Sequence, residues 1–394
     1  MNMKESGTIW MCAKIGDEEK AHYKARVLKL RMESTGKYWL PVYNLLEDSI
    51  NVTVANPKWV KTIKGNKDDV KDSKWIGDLF RLGLVPGSFI PSKDIRILRE
   101  YTRYRFKLVS CKASEKNRYQ NVFTVCNVAL DAVVSDMFGV SASSITDYLV
   151  NSDTFDPAHC VSLLKRTLKK KADDVVASIE GFQMTAAQKD RARFVKGHYD
   201  YLVAHIQVLD DKIKEIAAPL ESYINLLCTC PGIERNSATT VISEISTDMS
   251  QFGSSKRLCS WGGLTPGNNQ SAGKKKSVRI NRAGVYLKPA LVQVAHAAVK
   301  DKENPYYRIK YEQISKRRGK KRAIIAIARM ILTAVFHMLS SGEIWNPCDL
   351  QQVDMPPELR ERELHKSLRR AVNLLAAHGI VAPDAITIPE VNSA

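Results

Sequence analysis

Eight apolar residues, Val195, Tyr199, Leu202, Ile206, Leu209, Ile213, Ile216 and Leu220, follow one another in unbroken steps of four and three. That alternation places all eight on one seam of a single helix, because 3.6 residues make a turn and only 3- and 4-residue steps keep a side chain on the same face. About four heptads of such a pattern require a long helix packed along another, within one chain or between two. Pro219 marks where this helix kinks or ends. The pattern predicts a coiled-coil segment over 151–225 and carries no chemistry of its own.

The region before it reads differently. Residues 27–32 (Val-Leu-Lys-Leu-Arg-Met) and 50–55 (Ile-Asn-Val-Thr-Val-Ala) alternate apolar and polar, as half-buried strands do. Each ends in turn-like residues, Glu33-Ser34-Thr35-Gly36 and Asn56-Pro57, and Lys37 to Glu47 between them reads as a helix. A strand–helix–strand unit predicts an α/β domain, here assigned to residues 1–150. Residues 68–82 place Val70, Trp75, Ile76, Leu79 and Phe80 at helical spacing. Residues 93–120 read as a basic helix in which Tyr101, Tyr104 and Phe106 interleave with Arg103, Arg105 and Lys107, a pattern that fits core packing or nucleic-acid contact. Helices are also expected over 283–300 and from Ile324 to Leu339, within a region spanning 226–345. Residues 346–394 read as a peripheral tail.

Sixty Lys and Arg oppose 42 Asp and Glu, a net charge of +18, which points to a polyanionic partner, most simply nucleic acid. The charge is clustered in Lys169-Lys170-Lys171, in Lys274-Lys275-Lys276 with Arg279 nearby, and in Lys316, Arg317, Arg318, Lys320, Lys321 and Arg322. Eight scattered cysteines, two of them in Cys228-x-Cys230, give neither a zinc pattern nor a disulfide framework, and reduced thiols are expected. No apolar run approaches the ~20 residues that span a bilayer, and no signal-peptide pattern opens the chain. The expectation is a cytoplasmic protein without membrane contact.

Two constellations carry chemistry. Ser271 lies in a glycine-rich loop, Gly263 to Gly273, directly before the lysine run, so a hydroxyl nucleophile would sit beside three ammonium groups. That setting suits attack on a phosphate rather than an amide. Upstream, Asp69 and Asp72 share one helical face and Glu33 ends a strand. Hard carboxylate oxygens of this kind suit Mg²⁺, and Asp68 is an alternative to Asp69. Pro231-Gly232-Ile233 ahead of a small-residue helix fits either a phosphate-binding helix-hairpin-helix turn or a plain connection between helices.

The stretches Met32 to Gly36, Asn66 to Asp72 and Pro231 to Gly284, above all Trp261-Gly262-Gly263-Leu264-Thr265-Pro266-Gly267 with Ser271 and the lysines, resemble the DEDD-type transposases of bacterial insertion sequences. Specifically, the chain is similar to the insertion-sequence one-ten family of RNA-guided serine recombinases, over residues 30 to 345. The resemblance implies a RuvC-like (ribonuclease-H-like) N-terminal domain, a coiled-coil segment and a mainly helical C-terminal transposase domain. It implies Glu33, Asp69 and Asp72 as three members of a Mg²⁺-binding acidic tetrad and Ser271 as the nucleophile. DNA, a structured noncoding guide RNA and further copies of the chain are the implied partners, with Lys274, Lys275, Lys276 and Arg279 neutralising backbone charge. The family's first Asp, on a strand some fifty residues before the Glu, has no counterpart among the 32 residues preceding Glu33 except Asp17. An N-terminal truncation is therefore expected. A RuvC-like nuclease using water, or a nucleic-acid-binding remnant, stand as alternatives.

Overall fold

A computed structural model describes residues 29–34, 36–56, 75, 77–79, 82–84, 87–267, 269–271, 274–277, 279–280, 282–347, 349 and 357–377. They fall in two compact units, 1–91 and 92–394, a division that lies inside the region assigned from sequence to a single α/β domain. The described residues are mainly helical, with few strands.

In the first unit, β1 (Lys29–Glu33) and β2 (Asn51–Ala55) pair in parallel, Lys29 opposite Asn51 through Glu33 opposite Ala55. Helix α1 (Trp39–Leu46) connects them, since parallel neighbours need a crossover. The alternation seen in sequence explains the packing. Leu30, Met32 and Val54 are buried, and Trp39, Val42, Tyr43 and Leu46 from α1 cover them. The Ser88 N–H donates to the Val54 carbonyl at 2.6 Å, extending the layer beyond β2.

The second unit is built on two 32-residue helices, α2 (Lys93–Thr124) and, further along the chain, α7 (Ala186–Ala217). Between them, α3 (Leu130–Val133), α4 (Val140–Asn151), α5 (Pro157–Ser162), a 3-10 turn (Arg166–Lys171) and α6 (Ala172–Ala177) fold over one apolar cluster with the end of α2 and the start of α7. Thr185 and Gln188 form a reciprocal capping box that starts α7. Leu202, Ile206, Leu209 and Ile213 of the heptad seam are buried, and α7 packs along α2 of the same chain. The helix runs directly into the 3-10 segment Ala218–Leu220 that holds Pro219, whose missing amide N–H forbids an α-helical continuation.

Then follow α8 (Glu221–Cys228), α9 (Arg235–Ile245), α10 (Ser255–Trp261), strands β3 (Asn269–Ser271) and β4 (Lys274–Ser277), α11 (Leu287–Lys300), α12 (Tyr306–Arg318), α13 (Lys320–Ser341) and α14 (Pro357–Ala377). Helix α13 is central, packing against α8, α10, α11 and α12. Its buried residues Ala323, Ile324, Ile327, Ala328, Ile331, Leu332, Val335, Met338 and Leu339 make one continuous stripe, each larger side chain contributing about 1.5–3 kcal/mol on burial. This corrects the expectation about apolar runs. The 22-residue α13 contains an 18-residue window of mean hydropathy 1.9, long and apolar enough to cross a bilayer by length and composition, although half of that window is buried among its neighbours as in a core helix. The apolar count from Ile324 to Leu339 stops short of the true helix ends. The tail is partly integrated as well. Asp349 accepts from Lys310, and Arg370 of α14 donates to the Thr229 carbonyl at 3.2 Å.

Candidate functional site

Ser271 is not on a loop. It ends β3, and β3 pairs antiparallel with β4, Gln270 opposite Lys275 and Ser271 opposite Lys274, with a bulge after Asn269. The lysine run is thus the second strand of the hairpin that carries the serine. The base of this arm is tightly constructed. Pro266 bridges Ile280, and the Gly267 N–H donates to the Arg279 carbonyl at 2.9 Å. Lower still, a Cβ on Gly284 would lie 2.3 Å from the Gly262 carbonyl oxygen, and Gly284 has φ +68°. Only glycine allows both that approach and that conformation. The glycines of the Trp261-to-Gly267 motif and Gly284 are therefore the root of the arm.

Beside this root opens a cavity of about 1170 Å³, lined by Leu264, Pro266, Arg279 and Ile280 on one side and the outer face of α13 on the other. Arg318, Lys321, Arg322 and Arg329 stand on its rim, above Ile325, Met330 and Ala334. Tyr306, Tyr307, Trp345 and Asp349 also line it and belong to a polar knot. The Trp345 indole donates to Tyr307 Oη at 3.0 Å, and Asp349 accepts from Tyr306 Oη at 2.6 Å and from Lys310 Nζ at 2.5 Å. Burial works to raise the Asp349 carboxyl, but these hydrogen bonds outweigh it and hold the group below its ordinary value. Burial pushes the neighbouring Cys230 thiol up to about 12, so it is an inert packing group.

Lys316, Arg317 and Arg318 occupy the last turn of α12, and Lys320, Lys321 and Arg322 the first turn of α13. All six are exposed, and none has an ion-pair partner among the described residues. Cations at a helix C-terminus are favourable, whereas cations at a helix N-terminus oppose the dipole. The α13 start therefore adds its own positive end to three positive side chains.

Arg103 and Arg105 differ. Arg103 makes two hydrogen bonds to the buried Glu244 carboxylate, at 2.7 and 2.8 Å, and its guanidinium lies 4.6 Å from the Tyr286 ring centre. Arg105 pairs with Asp210 of α7. Arg99, which the sequence reading passed over, donates to the carbonyls of Ser243 and Glu244 at 2.8 Å each, satisfying the orphan end of α9. Burial brings the Arg99 guanidinium down to about 10 against the opposing pull of Glu244. Arg99 and Arg103 thus tie α2 to α9, and Arg105 ties it to α7. The Pro231-Gly232 turn is also used internally, since a Cβ on Gly232 would meet Val294 O and Ala298 N of α11 at 2.6 Å.

In the first unit, Glu33 stands at the carboxyl end of β1 beside the carboxyl end of β2, the edge of a parallel pair where α/β proteins place ligands. Asp68, Asp69, Asp72 and Asp17 lie outside the described residues. Among the described residues no three His, Cys, Asp or Glu side chains converge as metal ligands.

Residues 224–312 match the family model described as transposase, IS116/IS110/IS902 family, and residues 13–127 match a second transposase model, of the DEDD IS110 type. The chain belongs to the IS110 family of insertion-sequence transposases. The first match contains the glycine root, the serine arm and most of α12, and the second contains the β1–α1–β2 layer and all of α2. No curated protein matches this IS110-family transposase. DNA transposition is the activity of the family, and DEDD transposases are typically divalent-metal dependent.

Proposed function

We propose that this transposase cuts and rejoins DNA through Ser271. The observation that carries the reading is the arm itself: a serine paired in register with a lysine, at the end of a hairpin rooted by two glycines beside a cationic cleft. Ser271 Oγ attacks a phosphodiester phosphorus, an Oγ–P bond forms, the P–O3′ bond breaks, and the serine proton ends on the free 3′-hydroxyl. Strand exchange and reversal of that step rejoin the DNA. Lys274, Lys275, Lys276 and Arg279 neutralise the backbone at the reacting strand, and Lys316, Arg317, Arg318, Lys320, Lys321 and Arg322 hold the flanking phosphates.

Glu33, Asp69 and Asp72 would hold Mg²⁺. Their hard oxygens are the donors that ion takes, and when bound it would polarise the phosphate. The parallel β1–β2 pair with an acid at its carboxyl edge supports a RuvC-like fold for the first unit. The charge excess suits a structured guide RNA in addition to DNA. Association of copies is supported by a second stripe on α7, where Phe194, Tyr201 and Val208 recur every seven residues and are 79%, 61% and 67% exposed.

The test is to trap the cleaved intermediate with DNA substrate and Mg²⁺ and map the linkage. A phosphoserine at Ser271, lost in Ser271→Ala, is the expected result. Cleavage that persists in Ser271→Ala without an adduct would overturn it and point to water as the nucleophile.

A further inference from the structure

The helical lobe between α2 and α7 carries a cationic turn with no part in the chemistry above. Lys165, Arg166, Lys169, Lys170 and Lys171 are all exposed, and none has an ion-pair partner among the described residues. The turn beneath them is fixed. The buried Leu164 precedes it, the Lys165 N–H donates to the Oγ of buried Ser141 at 2.9 Å, and Leu168 and Ala172 pack on the lobe's apolar cluster. Asp173 and Asp174 follow in the first turn of α6, and the stretch stays strongly cationic.

Its backbone is unusual. Arg166 has φ +52°, one of three non-glycine residues with positive φ among the described residues. A left-handed conformation is rare for residues with a Cβ and is ordinarily filled by Gly, Asn or Asp. The chain here sets its longest cationic side chain where the backbone favours none. Backbone strain of this kind clusters at functional positions.

We propose that this turn is a second nucleic-acid contact, gripping the phosphodiester backbone of DNA or RNA away from the serine arm. The proposal rests on the nucleic-acid reading above. An arginine fork and four ammonium groups on a pre-ordered turn suit phosphate oxygens, and no aromatic side chain is interleaved with them to stack on bases. The contact is thus independent of sequence, and its ordering cost is already met by the packed turn.

The experiment titrates full-length protein with a short duplex DNA and with a structured RNA of similar length, over a range of salt. It compares wild type, Arg166→Gly, and the combined Lys169→Gln/Lys170→Gln/Lys171→Gln variant. The log–log salt slope should become shallower by roughly 0.9 for each lost contact on duplex and about 0.7 on single strands, with the triple variant weakened about tenfold or more at low salt. Arg166→Gly should melt no lower than wild type while binding less tightly. Loss on one nucleic acid alone identifies the source of the phosphate, and loss on both identifies the backbone they share. Unchanged slope and affinity on both would overturn the proposal, as would a lowered melting point for Arg166→Gly, which would make the arginine a brace for its own turn. Wild-type protein without salt-dependent binding would instead sink the reading of the serine cleft.

Discussion

Helix α2 and the junction between α12 and α13 look alike in sequence, each dense in Lys and Arg, yet their cations are partnered oppositely. On α2, Arg99 reaches two helix-end carbonyls, Arg103 grips Glu244 and Arg105 grips Asp210. At the junction six cations stand exposed, three of them against a helix dipole. The difference teaches that local charge density does not tell cations tied to distant acids from cations left exposed. The long-range acid decides, and it lies 141 residues away for Arg103 and 105 for Arg105.

The largest effect that could break this comparison is on the tied cations. Glu244→Ala should lower stability by about 3 kcal/mol, because it strands a half-buried guanidinium and cuts the α2–α9 tie. Urea unfolding would measure it, and an unchanged midpoint would remove the distinction. Asp210→Ala, at a more exposed acid than Glu244, should cost about 1 kcal/mol or less by the same assay. Lys320→Glu should go the other way, stabilising the protein by about 0.3–1 kcal/mol by complementing the α13 dipole. Its nucleic-acid binding should meanwhile lose roughly 0.9 from the salt slope.

The smallest effect is pH-dependent. Asp349 is held below its ordinary value, so its stabilising contribution is complete above the unfolded carboxyl value near ~3.9 and is lost as pH falls through the lower folded value. Wild type and Asp349→Asn should therefore differ at neutral pH and converge under strong acid, as read by denaturant midpoints at each pH.

Period and punctuation made part of this fold readable from the residues. The alternation at 27–32 and 50–55 located β1 and β2 to within two residues, and the seam marked the buried face of α7. Asn269-Gln270-Ser271 gave no such signal, for these residues have weak strand preference and become a strand only by pairing with β4. The arginine partners on α9 and α7 were hidden for a related reason, since no local pattern encodes a contact made only by the tertiary fold. The lysines after Leu168 were visible as a cluster, but the left-handed backbone of Arg166 was not, because arginine is the last residue from which such a turn would be inferred.

The meeting of Gly262 and Gly284 has a practical corollary. Spacing between the two stems is set below Pro266 and Ile280, so residue pairs can be inserted or removed farther out, or the whole tip exchanged for that of a relative, with the foundation untouched. Anyone wishing to re-aim the serine should edit the tip and leave the two glycines alone.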